Sequence, residues 1–295
     1  MRKASGGWLN GFLGVVIFSG SLPATRIAVA DFDPVFLTSA RAAIAGAIAL
    51  ALLTLLRAKR PARGELSALV LVALGVVVGF PLFTALALQF ITAGRSVVFI
   101  GLLPLATALF GVLRGGERPR PVFWLFAVLG SGCVVGFALM QDQAASWRGD
   151  LLMLAAIVVC GYGYAEGGRL SRHLGGWQVI SWALVLSLPV MAALSLATQP
   201  LDWQRIGLPA WGALAYVSLF SMLLGFVFWY RGLAQGGIAA VGQLQLLQPF
   251  LGLALAALLL HEAIGWPMLA ASLAICLCVA AARRFSAPAP VANLR

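Results

Sequence analysis

Three glutamines, Gln243, Gln245 and Gln248, run into Pro249 inside a stretch otherwise built of small and apolar residues. An amide both donates and accepts without carrying charge, which suits recognition of a polar group in a dry setting. On a helix Gln245 and Gln248 share a face, and Gln243 points elsewhere. Aromatic residues recur in similar settings. Trp229 follows Phe226 by three residues, on the face that also carries Met222. Tyr162 and Tyr164 lie well inside an apolar run. Phe80, Phe83 and Thr84 fall at helical spacing, and Phe99 precedes Pro104. Ser19, Ser21 and Gln89 are further polar residues within the apolar runs. Rings beside uncharged hydrogen-bonding groups are the chemistry of holding an amphipathic solute. The candidate binding set is therefore Tyr162, Tyr164, Phe226, Trp229, Gln245, Gln248, Phe80, Phe83, Phe99 and Ser21. Each also has a plainer use, in packing or in bonds between helices. The two tyrosines stand out from the phenylalanines, because a hydroxyl in an apolar setting needs a partner.

Bond-making chemistry finds no residues to carry it. His261-Glu262 lacks the second histidine of a zinc-protease helix, and no glycine-rich phosphate loop or nucleophile–base pair is present. Cys133, Cys160, Cys276 and Cys278 fall inside apolar runs with no zinc-type spacing to His173 or His261, and read as small buried side chains. The expectation is a protein that is not an enzyme and uses neither metal nor cofactor.

The elements that position these residues follow from composition. Of 295 residues, 62% are hydrophobic and only 10% charged, too few charges to cover a soluble surface. Ten apolar segments of about twenty residues follow one another, at 8–30, 34–56, 66–91, 94–114, 120–140, 149–170, 176–198, 208–232, 237–260 and 265–284. In lipid only helices or closed barrels satisfy the backbone, and segments of this length are helices. Arg2, Lys3 and the run Ala28-Val29-Ala30 imitate a secretory signal with its cleavage site. The run is long for one and contains Arg26, and its removal would leave the first half one helix short, so it reads as a membrane helix.

The chain also repeats. Pro104 and Pro249 each precede a glutamate by thirteen residues, Glu117 and Glu262, and the two pairs lie 145 residues apart. A proline in a helix removes a hydrogen bond and bends it, so Pro104 and Pro249 are candidate conformational hinges. With the N-terminus inside, fifteen Lys and Arg fall on the inner side and three (Arg95, Arg148 and Arg205) on the outer. That bias explains the net charge of +11 without nucleic acid. Arg26 and Arg41 lie within segments, where they snorkel, pair with Asp31 or Asp33, or meet a substrate carboxylate. Five helices per half is an odd number, so the halves face opposite ways and a site is expected where they meet. The expected organisation is a cytoplasmic tail at 1–7, a five-helix repeat at 8–140, an extracytoplasmic linker at 141–148, a second repeat at 149–284 and a cytoplasmic tail at 285–295. Gly7/Gly11, Gly75/Gly79 and Gly132/Gly136 have spacing that lets backbones approach, and read as contacts within a monomer.

Taken together, the two inverted halves, each with a proline-bearing fourth helix and a glutamate before the fifth, resemble the drug/metabolite transporter superfamily in its ten-helix EamA-type branch. That resemblance implies an all-α integral membrane protein whose helices 1, 3, 4, 6, 8 and 9 surround a central cavity, with both termini in the cytoplasm of a bacterium and the body in its inner membrane. It implies a secondary transporter exporting small amphipathic metabolites, aromatic and other neutral amino acids foremost. Alternatives are another metabolite or drug or, in a different class, a structural or signalling membrane protein. The absence of a carboxylate at any segment centre favours passage down a gradient over ion coupling.

Overall fold

A computed structural model describes residues 2–91, 96, 99–140, 146–248, 250–252, 254 and 266–286. Arg95, Pro249, His261, Glu262 and the tail from 287 lie outside the described residues. Every regular element among the described residues is helical. In chain order they are α1 (Arg2–Ser19), α2 (Ser21–Asp31), α3 (Pro34–Leu55), α4 (Arg63–Val72) and α5 (Phe80–Ala87), then α6 (Leu103–Gly115), α7 (Pro121–Leu139), α8 (Trp147–Leu170) and α9 (Gly176–Ala197). They continue with α10 (Leu208–Tyr216), α11 (Gly225–Gly236), the short α12 (Ile238–Gly242) and α13 (Trp266–Phe285). Among the described residues, six spans are long and apolar enough to cross a bilayer: Gly6–Asp31, Pro34–Leu55, Arg63–Ala87, Trp147–Leu170, Gly176–Ala197 and Leu208–Gly236. Leu103–Gly115 is apolar but shorter.

Local chemistry sets the ends. Asp33 opens α3, its Oδ1 accepting the Val35 N–H at 2.8 Å and the Phe36 N–H at 3.2 Å, with Pro34 in the first turn, where a missing N–H costs nothing. Gly116, at φ 66°, terminates α6 in the left-handed conformation that glycine adopts without penalty. Pro104 also sits in a first turn. The chain makes a turn at Gly101-Leu102 and α6 begins at Leu103. The expected bend at mid-helix is thus a break immediately before the proline, which leaves no N–H to be missed.

Two of the three glycine pairs bring backbones together. A Cβ on Gly7 would stand 2.6 Å from the Gly236 nitrogen, and one on Gly232 would stand 2.6 Å from the Gly11 nitrogen, so α1 and α11 cross at backbone contact. Gly75 meets α8 in the same way, 2.6 Å from the Val159 carbonyl oxygen. Gly132 and Gly136 differ from expectation. Nothing among the described residues lies within 4 Å of a Cβ at either, because both face outward on α7.

Large apolar side chains such as Leu9, Leu55, Val128, Leu151 and Val190 are exposed, as a lipid-facing surface requires. The interior is filled by α8, α11 and their neighbours, with Trp229 and Tyr230 fully buried.

Candidate substrate cavity

A narrow cavity lies where α1 and α2 meet α3, α5, α8 and α11. It is lined by Phe18, Ser21, Thr25, Arg41, Phe80, Thr84, Tyr164, Ser221, Phe226 and Gln248, among others, and its free volume is about 30 Å³. That is room for about one or two waters, so the walls must part before a solute the size of an amino acid enters. Residues far apart in sequence build it. Ser21 and Ser221, 200 residues apart, have their hydroxyls 2.7 Å from each other.

The break between α1 and α2 shapes one wall. Pro23 cannot donate to the turn behind it, and the helix parts at Gly20. Tyr216 fills the gap, its hydroxyl donating to the Ile17 carbonyl at 2.5 Å. Gln248 Nε2 donates to the Phe18 carbonyl at 3.3 Å. Backbone groups freed by the break are thus met by side chains from the second half, as lipid burial demands.

Two π-helical turns also contribute to the walls. Ala73–Gly79 joins α4 to α5, and Val217–Leu224 joins α10 to α11. The two lie 144 to 145 residues apart, close to the offset of the proline–glutamate pairs. Each closes with a bond to the fifth residue back, Phe80 N–H to the Gly75 carbonyl and Gly225 N–H to the Phe220 carbonyl. Such turns recur at functional sites because they re-aim side chains. Val76, Phe80 and Pro81 line the cavity from the first, and Ser221 and Phe226 from the second.

The polar side of the cavity centres on Arg41. It is 6% exposed, and its Nη2 donates to Ser221 Oγ at 3.2 Å, while its Nε has no hydrogen-bond partner among the described residues. The aspartates that were candidates to pair with it are engaged elsewhere. Asp31 accepts the Gly207 N–H at 2.9 Å, and Asp33 caps α3. Arg26 donates to the Leu88 carbonyl at 2.6 Å.

The apolar side is a nest of rings. Phe18 and Phe226 meet edge to face with centroids 5.0 Å apart, and Tyr164 stands 5.9 Å from Phe226. Trp229 touches Tyr164 at 5.3 Å and Phe18 at 6.2 Å but does not line the cavity. It braces the ring wall from behind.

Of the candidate binding residues, the structure brings Ser21, Phe80, Tyr164, Phe226 and Gln248 together around this cavity. The others stand apart from its lining. Tyr162 packs on Phe110 at 5.3 Å, with the Arg114 guanidinium 5.7 Å from its ring centroid. Phe83 and Phe99 are half-buried, and Phe99 packs against the main core. Gln245 is fully buried, with neither amide atom partnered among the described residues. Reasoning from the sequence left out Phe18, Thr25, Ser221 and above all Arg41 from the binding set. The signal for Arg41 was present, as a cation seven residues into an apolar helix.

At the far ends of α6 and α8 the same helices are bound by charge. Glu166, fully buried, accepts from Arg114 Nε at 3.1 Å and Arg169 Nη2 at 2.5 Å. Glu117 accepts from Arg172 Nη2 at 2.9 Å and from the backbone N–H groups of Ile238 and Ala239 at 2.6 and 2.7 Å. Burial pushes the Glu117 carboxyl above the ordinary range, against the pull of these donors. Arg172 also donates to the Gly115 carbonyl at 3.0 Å, and Tyr230 to the Gly163 carbonyl at 3.1 Å. Carboxylates sit here in ion pairs, and among the described residues none lines the cavity.

An all-helical, multi-pass membrane protein with a mixed aromatic and polar cavity between its helices has the form of a small-solute transporter. The comparisons place it more closely. The EamA-like transporter family matches the chain twice, over residues 5–139 and 147–283, and the chain belongs to that family. It is 67% identical over 286 residues to the uncharacterized transporter YdeK of Bacillus subtilis (strain 168), covering 97% of this chain and all of that one. It is 25% identical over 266 residues to the uncharacterized transporter sll0355 of a Synechocystis strain, covering 83% of this chain and 80% of that one. A crystal structure of a protein 22% identical in sequence superposes with a TM-score of 0.77 over 94% of this chain and 96% of that one, a likeness of fold.

Proposed function

We propose that this transporter exports small amphipathic metabolites, aromatic and other neutral amino acids first among them, by alternating access of the cavity to the two sides of a bacterial inner membrane. The arrangement envisaged is ten helices in two inverted five-helix repeats, acting as a monomer with both termini in the cytoplasm. The resemblance noted from the sequence is to the bacterial aromatic amino-acid exporter YddG in particular. The observation that carries the reading is the cavity itself. It brings Phe18, Phe80, Tyr164 and Phe226 together with Ser21, Arg41 and Ser221, so its lining suits a solute with both a ring and a charged or hydrogen-bonding group. Ring contacts of this kind contribute on the order of 0.5–1.5 kcal/mol beyond area burial.

Glu166, a fully buried carboxylate, is held by two arginines. That arrangement favours facilitated passage over ion exchange, since an ion-coupling acid must release and rebind its cation. The deciding experiment is flux from liposomes containing only the purified protein, preloaded with single amino acids, with and without a pH gradient. Efflux of phenylalanine or tryptophan down its own gradient, without an imposed ion gradient, is expected. Flux no faster than in protein-free liposomes across the amino acids would overturn the substrate assignment.

A further inference from the structure

We infer that Arg41 is the carboxylate anchor of this cavity, and that a carboxylate, not an ammonium, is the group a solute must carry to be held there. The inference rests on the reading of the cavity as the substrate site and narrows the substrates to amphipathic carboxylates, with or without an amino group.

The argument begins with cost. Arg41 lies about 10 Å along α3 from its start, within an apolar helix, where a guanidinium is expensive to keep. A buried cation is normally met by a carboxylate. Among the described residues none pairs with it, and the cavity lining contains no acidic side chain. Snorkelling does not relieve it, because the side chain is 6% exposed and turned to Ser221. The protein therefore holds a positive charge against the cavity with a neutral hydroxyl as its recorded partner.

Geometry then says which ligand fits. Nε and Nη2 form one edge of the guanidinium, the edge that receives a carboxylate side-on through two parallel bonds. Nε is unpartnered, and Nη2 makes only the 3.2 Å bond to Ser221 Oγ. Ser221 has Ser21 at 2.7 Å as an alternative partner, so it is not stranded when an anion takes its place on Arg41. For an ammonium the described residues of the lining offer only neutral acceptors, among them the Thr84 hydroxyl, which has no partner among the described residues. A cationic solute without a carboxylate would meet Arg41 as a like charge.

The test measures equilibrium binding to the purified full-length protein in detergent. The probes are phenylalanine, 3-phenylpropanoate (carboxylate alone), phenylalaninamide (ammonium alone) and butyrate. Phenylalanine and 3-phenylpropanoate should bind, and phenylalaninamide should bind at least about tenfold more weakly. Arg41→Gln should weaken the two aromatic carboxylates about tenfold or more and erase their advantage over the amide. Ser221→Ala, which leaves Arg41 in place, should retain that advantage. If Arg41→Gln gives no folded protein, the acid-against-amide comparison in the native chain decides alone. Phenylalaninamide binding on a par with phenylalanine would overturn the inference and leave the aromatic reading standing. Butyrate binding alone, lost in Arg41→Gln, would keep the anchor and remove the aromatic reading. Binding of none of the four would remove both.

Discussion

Glu117, at the end of the first half's α6, accepts the backbone N–H of Ile238, at the start of the second half's α12, at a distance of 2.6 Å. A second oxygen takes the Ala239 N–H at 2.7 Å, and Arg172 closes the ion pair. A carboxylate at a helix start satisfies N–H groups that have no partner within the helix. This one does so across 121 residues of sequence, tying one half of the chain to the other.

Removing that carboxylate leaves two buried N–H groups unmet and a mostly buried arginine with the Gly115 carbonyl in place of its ion pair. Glu117→Ala should destabilise the protein by about 2–3 kcal/mol, the scale of losing hydrogen bonds to a charged acceptor. Glu117→Gln, which keeps one acceptor oxygen, should cost less. Melting temperatures of the purified protein in one detergent check the order native, then Gln, then Ala. Equal melting of all three would show that the contact is incidental.

Glu166 is a different case. Its two arginines are 44% and 37% exposed, so solvent screens much of the attraction, and Glu166→Gln should change stability by no more than about 1 kcal/mol. Its interest lies in transport. If Glu166 only holds α6 against α8, Glu166→Gln should alter the rate of efflux and leave it indifferent to a pH gradient. A native chain that moves substrate only with a proton gradient, and a Glu166→Gln variant that loses that dependence, would make Glu166 the coupling acid.

The sequence carried the apolar segments and their ends because lipid enforces them. Runs of about twenty residues, Asp33 before Pro34 and Gly116 after α6 are local facts with local causes. The aromatic wall was partly legible, since Tyr164 and Phe226 lie deep in long spans. Trp229 has the same signature, and only its neighbours decide that it stands behind Phe18 and Tyr164. Arg41 was visible as a cation in an apolar helix but open to three readings, because whether it snorkels depends on what fills the space above it. The π turns had no signal of their own: Gly79 and Gly225 look like any other helix glycine until the carbonyl five residues back is placed. Glu117 was found by its repeat spacing, and its partner, a helix start in the other half, could come only from the fold.

Trp229 and Phe226 separate packing from recognition. Trp229 is fully buried behind the ring wall, whereas Phe226 faces the cavity. Trp229→Ala should lower folded yield and melting temperature, by on the order of 3 kcal/mol as for other large buried truncations, with little change in affinity per folded molecule. Phe226→Ala should weaken aromatic substrates a few-fold to tenfold, about 1.4 kcal/mol at most. Yields from gel filtration, set beside binding per folded molecule, distinguish the two. Loss of affinity in Trp229→Ala at undiminished yield would place Trp229 in the recognition surface.

The paired π turns support the last prediction. A Cβ on Gly79 would stand 2.6 Å from the Leu74 carbonyl oxygen, and one on Gly225 would stand 3.0 Å from the Phe220 carbonyl oxygen. Both oxygens belong to backbone five residues back, so neither can swing aside as a side chain would. Gly225 is crowded further by the Phe18 ring at 2.6 Å, and that ring lines the cavity. An alanine at either position must therefore tighten or unwind the wide turn. Doing so rotates Phe80 or Phe226, which follow directly, out of their places in the wall. Gly79→Ala and Gly225→Ala should thus cut efflux several-fold while the protein still inserts and purifies, Gly79 the more severely because its clash is with backbone at the shorter distance. Gly132→Ala is the control: nothing among the described residues lies within 4 Å of its Cβ, and alanine is the better helix former, so expression and flux should both hold. Efflux per molecule in liposomes, normalised to reconstituted protein, reads the comparison. Native rates in both Gly79→Ala and Gly225→Ala would mean that the wide turns are accidents of packing and that the walls of the cavity do not depend on them.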